Sequence, residues 1–504
     1  MSTNILFHIL KYSDINTVKK LIDNCDDINK INEIGSTPLI IASRYSNKTF
    51  SLEIVKELIK EGDNINQYNK DRYTALMLSS RYSNNTSSNE TVQELIKAGA
   101  NLDLQNKKGW TALMLSSRYS NDTSSRETVK ELIKCGANLN LQEEDGWTAL
   151  MLASRYSNDT SSVETVQELI KAGANLDLQS IEGWTALMMA SRYSNKSSSL
   201  ESVQELIEAG ANLDLQNENK STALMMASRY SNDTSSQETV KELIKVGANL
   251  DLQNEKGWTA LMLASRYSND TSSLETVQEL IKAGANLDLQ NTNGQTAVMI
   301  SLLNSTKTSS IETVNELIKA GANMYIKDKD NKSFINLINN YPSFNIVKLA
   351  LEMDINNKNL KNIILDFVMN VNLLETIKEL IPRCNPCDII TNDGNSLLHL
   401  CAIAIKQKKS SLEILEYLET LGIDKTLKNH ENKTYIDYLI NYKNIYVSSE
   451  CEICYNKMGN QLTILNCDCN CGKICLNCSK LLDGNKCPYC RKIFTDVQIF
   501  KILT

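Results

Sequence analysis

The residues of this 504-residue chain best suited to chemistry are thiols, and they gather at its C-terminal end. Nine of the 14 cysteines fall between Cys451 and Cys490. They read Cys451-Glu-Ile-Cys454, a gap of fourteen residues, Cys469-Asn-Cys471, three residues, Cys475-Leu-Asn-Cys478, eight residues, and Cys487-Pro-Tyr-Cys490. Eight thiolates in four close pairs match the ligand number of two closed tetrahedral zinc sites. Two intervening residues let one tight turn aim both sulfurs at a single ion, and a full set of soft ligands leaves no open position. The implied role is structural: two Zn2+ ions crosslinking residues 447–504, a segment too short to bury much core. Cys467, the ninth thiol, is an alternative to Cys469 as the third ligand. A spare cysteine could also form a thioester, but activating it needs a base, and no histidine occurs after His430.

The other five cysteines are scattered, a distribution unlike that of disulfide-rich secreted domains. The pair Cys384-x-x-Cys387 has no second pair close by and reads as two ordinary thiols. No phosphate-cradling glycine loop and no Ser/His/Asp constellation is present, so a freestanding kinase or hydrolase is not supported.

The C-terminal pattern resembles the RING finger, in which ligand pairs one and three hold one zinc and pairs two and four the other. The resemblance implies Cys451, Cys454, Cys475 and Cys478 around the first ion, with Cys469, Cys471, Cys487 and Cys490 around the second. Where a RING usually places histidine, Cys471 stands instead, a competent but more negative donor. The Cys-x-Cys pair before a three-residue gap is similar to the inhibitor-of-apoptosis subtype. RING ubiquitin ligases form no covalent intermediate; they dock a ubiquitin-charged conjugating enzyme and constrain its thioester, which is catalysis by positioning. Three residues match the family's docking positions: Ile453 between the first two ligands, Pro488 after the seventh, and Arg491 directly after the eighth. Taken singly they read as a surface isoleucine, a turn proline and a solvated arginine; the guanidinium's several donors suit bridging conjugating enzyme and ubiquitin. The last fourteen residues carry Ile493, Phe494, Val497, Ile499, Phe500, Ile502 and Leu503. Such a tail is similar to those of inhibitor-of-apoptosis and MDM-type RINGs, where it forms a strand in a homodimer. Folding back on its own domain or on the last repeat is the alternative.

What precedes this segment repeats itself. Gly109-Trp110-Thr111-Ala112-Leu113-Met114 recurs at Gly146-Trp147-Thr148, Gly183-Trp184-Thr185 and Gly257-Trp258-Thr259, always at multiples of 37 residues. The same register passes through Ser36, Tyr73, Ser221, Gln295 and Lys332. After a degenerate stretch at 358–390 it returns at Asn395-Ser396-Leu397-Leu398-His399 and at Lys433-Thr434-Tyr435, making about eleven or twelve units within residues 1–446. In each unit Thr-Ala-Leu-Met-Leu-Ala-Ser-Arg-Tyr predicts a short helix and Glu-Thr-Val-Gln-Glu-Leu-Ile-Lys a second, amphipathic one. Ala-Gly-Ala stops the second helix, its glycine (Gly99, Gly173, Gly284) supplying a left-handed position. Neither helix alone buries its apolar face, so the units must stack.

The unit resembles the ankyrin repeat, whose G-x-T-P-L-H-x-A signature is visible with departures. The proline survives as Pro38 and the histidine as His399; methionine usually takes the histidine's place. That loss weakens the hydrogen-bond network expected between repeats. The unit is about four residues longer than the family's usual 33, and the excess falls in Ser-Asn-Asp-Thr-Ser-Ser, as at Ser120 to Ser125. With pairs such as Arg118-Tyr119 and Arg155-Tyr156 these inserts would form ladders along one edge. A repeated binding surface, a phosphorylated serine comb and a plain solvated loop are the three readings, and the tryptophans read as turn and packing residues.

The fold expected is therefore an all-α ankyrin-repeat solenoid followed by a small zinc-stabilised α+β RING domain. Net charge is −7 with no long basic run, which argues against nucleic acid, and no apolar stretch reaches the length of a membrane span. The expected location is intracellular and cytoplasmic. Architecture and abundant Asn, Ile and Lys resemble ankyrin–RING proteins of giant DNA viruses of amoebae, which would make the host's ubiquitin machinery the partner. The function implied is a RING-type E3 ubiquitin ligase whose repeats select a protein substrate. The alternative is a non-catalytic ankyrin scaffold with a structural zinc cap or dimerisation module.

Overall fold

The computed structural model describes residues 15–23, 27–47, 52–62, 64–338, 386–407 and 410–440, isolated positions between 364 and 381, and three strands within 461–501. Two compact units divide the chain, residues 1–341 and 342–504. The 446/447 boundary read from the sequence and most of the degenerate stretch at 358–390 lie outside the described residues.

In the first unit, helix pairs follow one another at the sequence period. First helices run Pro38–Arg44, Ala75–Tyr82, Ala112–Arg118, Ala149–Arg155, Ala186–Tyr193, Ala223–Tyr230, Ala260–Tyr267 and Ala297–Asn304. Second helices run Leu52–Lys60, Asn89–Lys97, Arg126–Lys134, Val163–Lys171, Leu200–Glu208, Gln237–Lys245, Leu274–Lys282 and Ile311–Lys319. Helix Ile15–Asp23 packs ahead of this series and Phe334–Ile338 behind it. First helices pack on first helices and second on second, so each unit touches little beyond its neighbours, as a solenoid requires.

Local chemistry explains each boundary. Thr111 caps the helix Ala112–Arg118 by accepting from the backbone N–H of Met114, and Ser125 caps Arg126–Lys134 by accepting from that of Thr128. Glu127 in the first turn and Lys134 in the last complement the helix dipole. At the end of Asn89–Lys97, the N–H of Ala100 reaches the carbonyl of Leu95 (3.1 Å) and that of Gly99 reaches Ile96 (2.9 Å). This is a Schellman stop, and Gly99 holds the φ of +88° it demands. Leu113, Met114, Leu115, Val129 and Leu132 are all at most 2% exposed, so both helices bury their apolar faces in the stack.

The turn between repeats, centred on Gly109, is built for close approach. Asn106 Oδ1 accepts from the N–H groups of Lys108 and Trp110, both at 2.9 Å, folding the turn on itself. The turns then stack: Lys107 N–H donates to the Asp71 carbonyl and Glu144 N–H to that of Lys108, each at 3.1 Å. A Cβ on Gly109 would stand 2.7 Å from the Glu143 Cα, so the neighbouring backbone leaves room only for hydrogen.

The second unit continues the motif with helices Leu397–Lys406, Leu412–Glu419 and Tyr435–Ile440. It also contains a three-stranded antiparallel sheet of β1 (Gln461–Asn466), β2 (Ile474–Cys475) and β3 (Asp496–Lys501), ordered β2-β1-β3. β3 lies in the apolar tail, and it pairs with β1 of the same chain, from Gln461 opposite Lys501 to Asn466 opposite Asp496. The strand of the tail thus pairs within its own chain.

Candidate functional site

Three ladders tie neighbouring repeats together. At His399, where the histidine survives, Nδ1 meets Ser396 Oγ at 2.8 Å and Nε2 meets the Lys433 carbonyl of the next unit at 2.9 Å. In the first unit a glutamine ladder bonds other carbonyls: Gln105 Nε2 donates to the Gly109 carbonyl (2.6 Å) and to that of Gln142 in the next repeat (2.9 Å). Asp103 Oδ1 accepts from the Asn138 N–H at 2.9 Å, and the same position recurs through Asp288, which accepts from Asn323 at 2.8 Å. These amide and carboxylate side chains reach other backbone groups than the carbonyl that His399 meets, so they tie the junction without restoring the histidine's own bond.

The third ladder comes from the inserts. Thr128 Oγ1 donates to Ser83 Oγ at 2.7 Å, Ser83 and Ser124 hydroxyls meet at 3.3 Å, and Ser124 Oγ donates to the Ser80 carbonyl at 2.6 Å. The pattern recurs at Thr165, Ser120 and Ser161 and again at Thr313, Ser268 and Ser309. Backbone follows suit, with Asn84 N–H on the Thr123 carbonyl and Asn121 N–H on that of Thr160, both at 3.0 Å. Ser120 is 8% exposed and Ser124 is fully buried. Neither a solvated loop nor a serine comb open to phosphorylation describes this insert: only its Asn-Asp tip is exposed, and its hydroxyls close the repeat junction.

A cleft runs between the stacked turns and the C-terminal ends of the first helices. Its first section, about 450 Å³, is lined by residues that include Ile34, Arg44, Asp71, Tyr73, Arg81 and Tyr82. The next is lined by Tyr73, Arg81, Lys108, Trp110, Leu115, Tyr119, Glu143 and Asp145. Arg44 and Arg81 on its helix side are the first two of a row of seven arginines, continued by Arg118, Arg155, Arg192, Arg229 and Arg266, each half-buried in the last turn of a first helix. Every one of the first six lies over the tyrosine ring of the next repeat, at 3.1 to 4.9 Å from guanidinium carbon to ring centre. All seven also lie 5.0 to 5.4 Å from the ring of the tyrosine that follows them in sequence. Each of the first six cations is thus sandwiched between two electron-rich faces. Trp184 and Trp258 add further ring faces, 5.8 Å from Arg192 and 5.2 Å from Arg266. Trp110 lines the cleft, and Trp184 and Trp258 stand half-exposed beside the arginine row, which turn packing alone does not require.

Electrostatics set the two walls apart. Among the described residues no carboxylate is in ion-pairing distance of any of the seven arginines. Burial lowers the pKa of Arg155, tyrosines 193 and 156 oppose it, and the adjacent Arg192 and Arg118 lower it further. On the turn wall, Glu143 occupies the place of Asn106 and accepts from Trp147 and Asp145 N–H groups at 3.0 and 2.9 Å. Burial raises its carboxyl pKa despite those bonds.

Of the metal and docking residues expected from the sequence, Cys475 ends β2. Cys451, Ile453, Cys454, Cys467, Cys469, Cys471, Cys478, Cys487, Pro488, Cys490 and Arg491 lie outside the described residues. Among the described residues no group of three or more His, Cys, Asp or Glu side chains is placed to hold a metal. Cys387 is exposed and its thiol meets the Gly422 carbonyl at 3.5 Å; Cys401 is buried, which pushes its thiol pKa up to about 12. Among the described residues no helix is long and apolar enough to cross a membrane.

A family model described as ankyrin repeats matches residues 6–87, 82–163, 120–199, 158–236, 189–291 and 233–328. No curated protein matches the chain. Overlapping matches from residue 6 to residue 328 cover more than half of the sequence, and the fold beneath them is a stack of helix pairs closed by stacked turns: the chain belongs to the ankyrin-repeat family.

Proposed function

We propose that this protein is a RING-type E3 ubiquitin ligase in which the ankyrin repeats hold a protein substrate and the cysteine-rich end recruits a ubiquitin-charged conjugating enzyme. The repeats by themselves imply a protein–protein interaction scaffold. The ligase half of the reading is carried by one observation: Ile453, Pro488 and Arg491 stand in docking register on an eight-cysteine frame. A structural cap has no need of an apolar residue and a cation at those two ends of the frame. The donor set, eight soft thiols and no histidine, fits zinc in two closed sites. Bound there by Cys451, Cys454, Cys475 and Cys478, and by Cys469 (or Cys467), Cys471, Cys487 and Cys490, zinc supplies rigidity and takes no part in bond making. Ile453 would pack on the conjugating enzyme, and Arg491 would donate to both that enzyme and ubiquitin, holding the thioester in an attack-ready pose. Solubility in a reducing, cytoplasmic setting and a homodimer built on the β3 tail belong to the same reading.

The test is autoubiquitination by the full chain with a panel of conjugating enzymes. Wild type should build chains with at least one enzyme, and Ile453→Ala and Arg491→Ala should lose that activity while retaining zinc. Equal activity in all three removes the docking model. Silence with every enzyme leaves the non-catalytic ankyrin scaffold.

A further inference from the structure

The arginine row is an unusual investment for a chain of net charge −7. Helix formation does not require it: Ala297–Asn304 ends in Leu303 and Asn304, carries no basic residue in its last turn, and forms the same helix. Nor do the arginines serve as ion-pair glue, since the pairs that do link repeats lie on the second helices, for instance Lys130 with Glu168 at 3.4 Å, or on the turns, as Lys107 with Asp71 at 3.8 Å. Burial and the like charge of its neighbours work against the charged form at Arg155, whereas at Arg118 burial is outweighed by hydrogen bonds to Tyr156 and Tyr119. A like-charged row held half out of water, with aromatic faces but no carboxylates, is matched by an anionic ligand along it.

The spacing of the row defines that ligand. Neighbouring helices pack about 8–10 Å apart, so guanidinium groups one repeat apart stand roughly 10 Å from each other. A polypeptide in the extended polyproline-II form advances about 3.1 Å per residue with three residues per turn, which brings every third side chain to the same side at a spacing near that of successive arginines. Arg155 already donates one terminal N–H to Ser197 Oγ and Arg192 one to Met226 Sδ (3.8 Å), and the Nε groups of Arg44, Arg81, Arg192, Arg229 and Arg266 are buried without a hydrogen-bond partner, so the terminal N–H groups still open are the ones that would meet a carboxylate. The opposite wall carries both signs of charge: Lys70 and Asp71 line one section of the cleft, and Lys108, Glu143 and Asp145 the next. Nucleic acid, with a charge about every 1.7 Å of duplex, would leave most of its phosphates unmatched by arginines roughly 10 Å apart.

We propose that the Arg44 to Arg266 row is the recognition surface for an acidic polypeptide segment in the extended polyproline-II form, carrying Asp or Glu at about every third position. This deepens the reading of the repeats as the partner-binding part of the chain and is independent of ligase activity, which the autoubiquitination assay tests without any repeat ligand.

Fluorescence anisotropy with the full-length protein decides it. The probe is a labelled peptide of about 21 residues with Glu at every third position and Gly or Ser between. Its control has the same composition with the glutamates in one block. The spaced peptide should bind at least about tenfold tighter than the block peptide, and Arg118→Gln/Arg155→Gln/Arg192→Gln should weaken it by about tenfold or more. Should that variant melt early, the wild type decides: its Kd should rise at least about tenfold between roughly 50 and 300 mM NaCl. Equal affinity for the two peptides, a folded triple variant that binds like wild type, a salt-independent Kd, or tighter binding of single-stranded DNA of equal charge would each overturn the proposal.

Discussion

The repeat array and the cysteine-rich end solve the same problem by opposite means. Between residues 64 and 338 each unit buries a small apolar surface and relies on the next unit to complete it, so stability is a sum of similar junctions. Most junctions reuse the same parts: stacked turn backbones, a Gln105-type amide, an Asp103-type acceptor and the Ser83–Ser124–Thr128 hydroxyls. The 447–504 segment is too short to bury much core, and its eight thiols imply crosslinking by metal in place of burial. Contacts that are individually weak and many times repeated tolerate loss one at a time. Contacts concentrated in two ions would not.

The largest expected effect follows from removing metal. Structural zinc contributes about 10–16 kcal/mol per site, more than a segment of this length can replace by burial. A chelator added to the reduced, full-length protein should make the chain beyond about residue 446 sensitive to protease, while 64–338 stays intact and helical by circular dichroism. Metal analysis of the untreated protein should give two equivalents of zinc. Fewer than two, or unchanged protease resistance after chelation, breaks the comparison.

Two glycines sharpen it within the array. Gly109→Ala adds a Cβ 2.7 Å from the Glu143 Cα at a φ of +76°, so it strains its own turn and pushes the next one. Gly99→Ala meets nothing within 4 Å and bears only the cost of a positive φ, about 1 kcal/mol. Urea denaturation should show Gly109→Ala losing about 3 kcal/mol, well beyond Gly99→Ala. Equal losses would mean that turn stacking adds nothing to the junction.

The smallest effect concerns one departure from the repeated pattern. Glu143 stands where Asn106 and Asn254 stand in other turns, and burial raises its carboxyl pKa. A raised folded-state pKa means the folded chain binds that proton more tightly than the unfolded one. The penalty is thus fully present above the raised value and disappears as pH falls below the ordinary carboxyl range. Glu143→Asn should lift the melting temperature by about 1 °C at pH 7, with the gain vanishing at acidic pH. A gain that persists unchanged in acid would trace the effect to packing instead of charge.

Much of the array was legible in the sequence. Thr111, Ser125 and Gly99 announce their caps by residue type, and the 37-residue period announces the stack. The Arg118–Tyr119 and Arg155–Tyr156 pairs were visible as a ladder, yet their repetition could not tell an interaction surface from duplicated loop. The insert was misread because Ser, Asn, Asp and Thr are residues that usually face water, and a hydroxyl is buried at little cost only when partners wait for it. Those partners lie more than forty residues away: Ser83 meets Ser124, and Thr128 reaches back to Ser83.

What the amino-acid order determined alone is everything decided within one repeat: which residues cap, which face is apolar, where the chain must turn left-handed. It also set four thiol pairs at spacings suited to tetrahedral ions. Tertiary structure decided what lies between repeats: that insert hydroxyls point into the junction, that Arg118 lies over Tyr156 as well as touching Tyr119, and that β3 pairs with β1 of its own chain. The physical reason is range. Caps and periodicity act over one or two helical turns, whereas a guanidinium's second ring, a serine's partner or a strand's neighbour depends on how far one packed unit is displaced from the next.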